Sequence, residues 1–144
     1  MSRNALDNSM RVVIDTNCLI ASIPRSGEHY WLYQAFITRK FEWIVSQEII
    51  TEYEEKLSEF YAPSLAQNVM KILAVAPHVI HVEANFKWLM IENDPDDNKF
   101  ADVSFAGGVD YLVSNDAHFN VLKKREYPKI KVLRLEEFKQ LLGY

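Results

Sequence analysis

The chain has 144 residues, with 20 acidic against 16 basic side chains, a formal net charge of −4, 49% hydrophobic residues, four glycines and five prolines. That composition excludes a disordered or low-complexity chain, and the length suits one domain with one well-formed core. An acidic balance also excludes a broad basic surface for polyanions, so any phosphate-binding footprint is local; the basic residues best placed for it are Lys123, Lys124 and Arg125, with Lys129, Lys131 and Arg134 further on.

No stretch approaches the ~20 apolar residues of a membrane span, and the start lacks the apolar core of a signal peptide. The single cysteine, Cys18, has no partner for an internal disulfide or a thiolate metal site and reads as a small buried hydrophobe. Together these features predict a cytoplasmic protein without membrane association. Residues 1–9 are polar and aperiodic and are expected to form an extension ahead of a domain over 10–144, with Met10 an alternative start.

Val12–Ile14 is a short β-branched run suited to a strand buried on both faces. Ala21–Glu28, with Pro24, Ser26 and Gly27, reads as a loop. His29–Arg39 carries Trp31, Leu32, Ala35 and Phe36 at helical spacing, and Phe41–Val45 is a second strand. Ser46 is placed to cap a helix reaching Phe60, and Pro63 opens another reaching Val75. A strand over Val79–Val82 and a helical turn over Phe86–Ile91 precede the acidic turn 92–97. A helix then runs over Asp97–Ala106, stopped by Gly107-Gly108. Tyr111–Ser114 is a strand, Ala117–Lys124 a short helix, Ile130–Leu133 a strand and Glu136–Leu142 a terminal helix before Gly143. Short apolar strands alternating with amphipathic helices predict an α/β fold with a parallel sheet covered on both faces.

In such sheets ligands bind beyond the carboxyl ends of the strands, which gives the acids their interest. Asp15 ends the first strand, and Asp116 follows Tyr111–Ser114. Of Asp94, Asp96, Asp97 and Asp102, Asp97 shares the inward stripe of Phe100, Ala101 and Ser104; Asp102 falls opposite it, and Asp94 and Asp96 precede the helix. Glu52 and Glu54 flank the buried face of their helix at similar angles, and periodicity does not choose between them. Carboxylates gathered at one edge repel unless a cation neutralises them, which points to a metal site and to chemistry on phosphate esters. Each acid also has an ordinary reading, as a helix cap, a turn residue or a solvated charge; the case rests on their convergence. Thr16 and Asn17 offer a hydroxyl and an amide to hold the Asp15 carboxylate. Arg25, Ser26, Gly27 and His29 in the first loop, and His118 and the Lys123-Lys124 pair after Asp116, are placed to touch phosphate or to be plain exposed residues.

The segments Val12-Val13-Ile14-Asp15-Thr16-Asn17, Ser46-Gln47-Glu48-Ile49-Ile50-Thr51-Glu52-Tyr53, Asp96-Asp97-Asn98-Lys99-Phe100 and Asp110-Tyr111-Leu112-Val113-Ser114-Asn115-Asp116 occur in one order over nearly the whole chain. In that order they resemble the PIN-domain ribonuclease superfamily, and most its prokaryotic VapC-related branch of toxins from type II toxin–antitoxin systems. The resemblance implies a PIN-like three-layer α/β/α sandwich with a central parallel sheet. It also implies Mg²⁺- or Mn²⁺-dependent endoribonuclease activity on RNA, frequent homodimerisation and inhibition by a cognate antitoxin. It carries the catalytic, metal-holding acids onto Asp15, Glu52 (against Glu54), Asp97 and Asp116, with Ser114 where the family often has Thr or Ser; Asn17 and Ser114 themselves read as groups that orient the carboxylates. Asn115 departs from the glycine that relatives often carry.

A haloacid-dehalogenase-like phosphatase would need a second Asp where Asn17 stands, and a response-regulator receiver would place its phosphoacceptor after a later strand. The remaining alternative is a non-catalytic PIN-like module that binds RNA or a protein.

Overall fold

The computed structural model describes residues 10–144; the expected extension over residues 1–9, and with it the choice between Met1 and Met10, lies outside them. Five strands build the sheet: β1 (Met10–Ile14), β2 (Phe41–Val45), β3 (Val79–His81), β4 (Tyr111–Val113) and β5 (Val132–Leu133). Their order is β3-β2-β1-β4-β5 and every neighbouring pair is parallel. The helices are α1 (Thr16–Ala21), α2 (Tyr30–Ile37), α3 (Gln47–Phe60), α4 (Pro63–Val75), α5 (Asn98–Ala106) and α6 (Leu135–Leu142), with 3-10 segments at Pro95–Asp97 and Ala117–Lys124.

Alternation along β2 separates the two helical layers. Phe41 and Trp43 turn to one face, where Phe41 meets Phe36 of α2 and Phe138 of α6, and Trp43 meets Tyr53 of α3. Ile44, the residue after Trp43, turns to the other face against the end of α5, where a Cβ on Gly107 would come within 3.1 Å of its Cγ2. Strands β1, β2 and β4 are buried on both faces along most of their length, as parallel strands covered by helices require. The architecture is the expected three-layer α/β/α sandwich.

The local signals act as their chemistry dictates. The Ser46 hydroxyl accepts from the Ile49 amide at 3.2 Å, Pro63 opens α4, and Gly143 takes the left-handed conformation (φ 84°) that ends α6. Trp31 and Trp43 are buried, as their helical and strand spacing predicts, and so is Cys18.

Two expectations fail, and residues 16–21, to which the sequence reading assigns no helix or strand, form α1. Residues 86–91 are not helical: the Trp88 amide donates to Asp102 Oδ1 (3.1 Å) and the Ile91 amide to Asn98 Oδ1 (2.8 Å), so side chains of α5 take the donors that a helical turn would have used. Asp102, expected on the outer face of its helix, is therefore buried against this segment. Finally, 3-10 geometry starts at Pro95, before the expected helix start at Asp97, and α5 proper begins at Asn98.

Asn98 returns a second bond, its Nδ2 donating to the Ile91 carbonyl at 3.2 Å, and so clamps the loop that delivers Asp94 and Asp97. Asn98→Ala should lower the unfolding free energy by about 1–3 kcal/mol, the cost of leaving a buried amide and carbonyl unpaired. Urea denaturation measures this, and an unchanged midpoint would contradict the clamp.

Candidate metal centre

Strand order reverses between β1 and β4, because the chain builds outward from β1 to β3 and then returns to the other side. In a parallel sheet that reversal opens a crevice at the carboxyl ends of the two strands. Asp15 stands at its mouth. Its amide still donates to the Val113 carbonyl of β4 (3.0 Å), so its position is set by the sheet although the chain is already turning into α1.

The Asp15 carboxylate is buried and accepts from Ser114 Oγ at 2.8 Å. The same hydroxyl oxygen accepts the Asp116 amide at 3.0 Å, so one serine ties the two strand ends together. Asp116 caps the following 3-10 segment, its Oδ1 accepting from the His118 amide at 2.9 Å. Asn115, beside it, accepts from the Leu135 amide at 2.9 Å and anchors the start of α6.

Asp97 arrives from the other side on the 3-10 turn. Residues three apart eclipse in that geometry, so Asp94 projects beside Asp97, the Asp97 amide bonding the Asp94 carbonyl at 3.1 Å. Both carboxylates meet the His118 ring: Nδ1 lies 3.2 Å from Asp94 Oδ2, 3.6 Å from Asp97 Oδ2 and 3.4 Å from Asp116 Oδ1. Glu52 approaches from α3. The Thr16 hydroxyl donates to its Oε2, and Lys99 Nζ lies 2.7 Å from its Oε1.

Crowding and burial show in the acidities. Burial pushes the Asp15 carboxyl up to about 6, with the charges of Asp116 and Glu52 adding and the Ser114 hydrogen bond opposing. Burial, and then the charges of Asp15, Asp94 and Asp116, push Asp97 to about 7, with His118 opposing. Cys18, beneath the cleft, is pushed to about 12 by burial and by Asp15, which leaves it no thiolate character.

Asp15, Asp97, Asp116 and Glu52 thus reach one neighbourhood, and Ser114 touches Asp15. Asn17 is exposed and only lines the cleft; Ser114 and the Thr16 backbone hold the Asp15 carboxylate, and the Thr16 hydroxyl goes to Glu52. Glu54 is exposed. His29 lines the cleft, whereas Arg25 lines a separate groove against Leu65 and Val69 of α4, and Lys123 and Lys124 are exposed at the far end of the 3-10 segment. Sequence reasoning missed Asp94, Lys99 and Asn98. The Asp94-Pro95-x-Asp97 spacing was the available signal for the first, since proline favours the first turn of a helix.

The donors suit a hard or borderline divalent cation. Asp97 Oδ2 is buried without a hydrogen-bond partner while facing like charges, a state that a cation relieves and a further hydrogen bond from the present neighbours does not. Asp15, Asp97, Asp116 and Asp94 could hold it.

The raised carboxyls fix a sign for stability. Asp15 and Asp97 keep their protons to about 6 and about 7 in the folded chain, against a reference value of 3.8. Folding therefore favours the protonated forms; that contribution is complete below the reference value and is lost as pH rises through the folded values. Chelator-treated protein should lose melting temperature between about pH 5 and about pH 8, and Mn²⁺ should restore it at the higher pH while doing little at the lower. An equal gain from Mn²⁺ at both pH values would count against these carboxylates as the binding groups.

Comparison with known proteins identifies the family and the fold. The sequence profile of the PIN domain matches residues 11–118. A chain from the Rickettsia felis VapBC2 complex, determined bound to a DNA fragment from its promoter, superimposes with a TM-score of 0.61 at 15% identity, over 87% of this chain and 98% of that one. A chain from the DNA-bound Salmonella typhimurium VapBC complex gives 0.55 at 14% identity, over 88% and 98%. No curated protein matches by sequence. At these identities the structures share the fold, and the profile match across three-quarters of the sequence makes this chain a member of the PIN domain family.

Proposed function

We propose that the protein is a metal-dependent endoribonuclease, the toxin of a toxin–antitoxin pair. One observation carries the reading: Asp15, Asp97 and Asp116, distant in sequence, meet at the reversal point of a parallel sheet with a buried carboxylate oxygen of Asp97 left unpartnered. Membership of the PIN domain family and the likeness in fold to chains of VapBC complexes support it. The substrate is RNA, the physiological partner is a cognate antitoxin, and the working form is a homodimer, as the resemblance implies. Among the described residues no helix is long and apolar enough to cross a membrane.

Asp15, Asp97 and Asp116 are the residues that would hold Mg²⁺ or Mn²⁺. When bound, such an ion supplies a water of lowered pKa and neutralises charge on the phosphoryl oxygens. Ser114 fixes the direction of the Asp15 carboxylate and couples it to Asp116. Both Glu52 oxygens are engaged, one by Thr16 and one by Lys99, so Glu52 contributes a held negative charge at the edge of the cleft. The Lys99 ammonium, paired with Glu52 and also bonded to the Asp96 carbonyl at 2.7 Å, is placed to meet a phosphate entering beside Glu52.

Asp15→Asn should reduce Mn²⁺-dependent cleavage of single-stranded RNA by at least about a hundredfold, roughly 3 kcal/mol of transition-state stabilisation, with an unchanged circular dichroism spectrum. Chelation by EDTA should abolish cutting by the wild type. A variant that cleaves at the wild-type rate removes Asp15 from the site, and RNA binding without cleavage by the wild type would favour a non-catalytic module. In a bacterial host, expression of the wild type alone should arrest growth and Asp15→Asn should release it; unimpaired growth with the wild type would argue against a toxin.

A further inference from the structure

His118 has no part in an all-carboxylate site, yet the cluster converges on it. Its Nδ1 faces oxygens of Asp94, Asp97 and Asp116 at 3.2, 3.6 and 3.4 Å. One ring nitrogen carries at most one hydrogen, and the two longer separations exceed ordinary hydrogen-bond lengths. The Nδ1 hydrogen can serve Asp94 Oδ2 and the His118 amide serves Asp116 Oδ1, but the buried Asp97 Oδ2 is left without a hydrogen-bond partner. The spacing has a different match. Donor atoms held about 2.0–2.2 Å from one cation stand roughly 3–3.6 Å from each other, in octahedral or tetrahedral arrangement.

The backbone supports such a set from two sides. Asp94 and Asp97 project together from one 3-10 turn clamped by Asn98. His118 is fixed by its own amide on Asp116 Oδ1, and its ring is nearly half exposed, open to ion exchange with solvent.

Resting on the metal-dependent reading above, we infer that Asp94 and His118 complete the ion site and that the imidazole nitrogen selects a transition divalent cation over Mg²⁺. Mg²⁺ takes oxygen donors in strict octahedral geometry and sheds water reluctantly, whereas Mn²⁺, Co²⁺ and Zn²⁺ accept mixed nitrogen and oxygen donors with rising affinity for imidazole. A carboxylate-only pocket would hold Mg²⁺ without help from His118. Here the nitrogen lies within 3.6 Å of an oxygen of each of Asp94, Asp97 and Asp116, and ligand atoms of Asp94, Asp97 and His118 all lie within 4.8 Å of one another.

Calorimetric titration of the full chain with Mg²⁺ and with Co²⁺, the latter also followed by visible absorption, tests this. Carboxylates alone favour Co²⁺ to some degree, so the quantity of interest is the change in the Co²⁺/Mg²⁺ affinity ratio. His118→Ala should reduce that ratio by at least about tenfold, leave Mg²⁺ affinity within about threefold, and alter the Co²⁺ spectrum through loss of a nitrogen donor. His118→Asn, which keeps a polar side chain on this exposed turn, should behave in the same way, and Asp94→Asn should weaken both ions. Wild-type Co²⁺ affinity and spectrum in His118→Ala overturn the inference and leave the metal-dependent reading standing. If the wild type takes up neither ion, that reading falls too.

Discussion

The repulsion among carboxylates at the β1/β4 crevice is the constraint around which the rest of the molecule is arranged. Two unit charges 4 Å apart cost about 1 kcal/mol in water and about 4 kcal/mol at the effective dielectric near a protein surface. Several such pairs draw heavily on a domain stability of roughly 5–15 kcal/mol. The protein meets this in three ways. Lys99 is paired with Glu52, the His118 ring is set among Asp94, Asp97 and Asp116, and Asp15 and Asp97 hold their protons to higher pH than free carboxyls do. None of these satisfies Asp97 Oδ2, so part of the demand for positive charge is left to a ligand.

A crowded acidic site needs a floor that does not yield. Tyr53, fully buried in α3, donates its hydroxyl hydrogen to the Ile14 carbonyl at 2.5 Å, one residue before Asp15, and accepts Trp43 Nε1–H at 3.2 Å. The chain of indole, phenol and carbonyl runs from β2 through α3 to the end of β1. It fixes the strand end from the core side while Ser114 fixes it from the β4 side. Burial pushes the Tyr53 phenol well above its usual range, so it stays a neutral donor beside the acids. Trp43 and Tyr53 are core residues by periodicity; their polar atoms make them supports of the site as well.

What was legible in the sequence follows from the range of the interactions involved. β1, β2 and β4 were readable because burial on both faces demands unbroken apolar runs, and α3 and α4 because Ser46 and Pro63 are local signals acting within a turn. Asp15 and Asp116 were readable from their place at strand ends. α1 was not, because six residues opening Thr-Asn carry too little periodicity. The shape of 86–91 was hidden because it is decided by Asp102 and Asn98 side chains on another element. Asp94 was set aside by treating Asp97 as the start of an α-helix at 100° per residue; the 3-10 turn rotates by about 120° per residue and brings Asp94 into line. Glu52 could not be separated from Glu54 by its own helix, since the distinction lies in Thr16 and Lys99 across the cleft.

The cluster divides electrostatically into two parts. Around Glu52, one carboxylate has a hydroxyl and an ammonium, and local charge is balanced by the chain itself. Around Asp97, the carboxylates of Asp94, Asp116 and Asp15 share one imidazole and one serine hydroxyl, and negative charge is in excess. A cation gains most where the deficit lies, on the Asp97 side, whereas at Glu52 it would have to displace Lys99 from a 2.7 Å contact. A polyanionic substrate, as the proposed function requires, would have the reverse preference, drawn to Lys99 and repelled by the uncompensated acids until an ion is present. On the proposed function, the asymmetry that would seat a metal would also order the two binding events, with the ion preceding the phosphate.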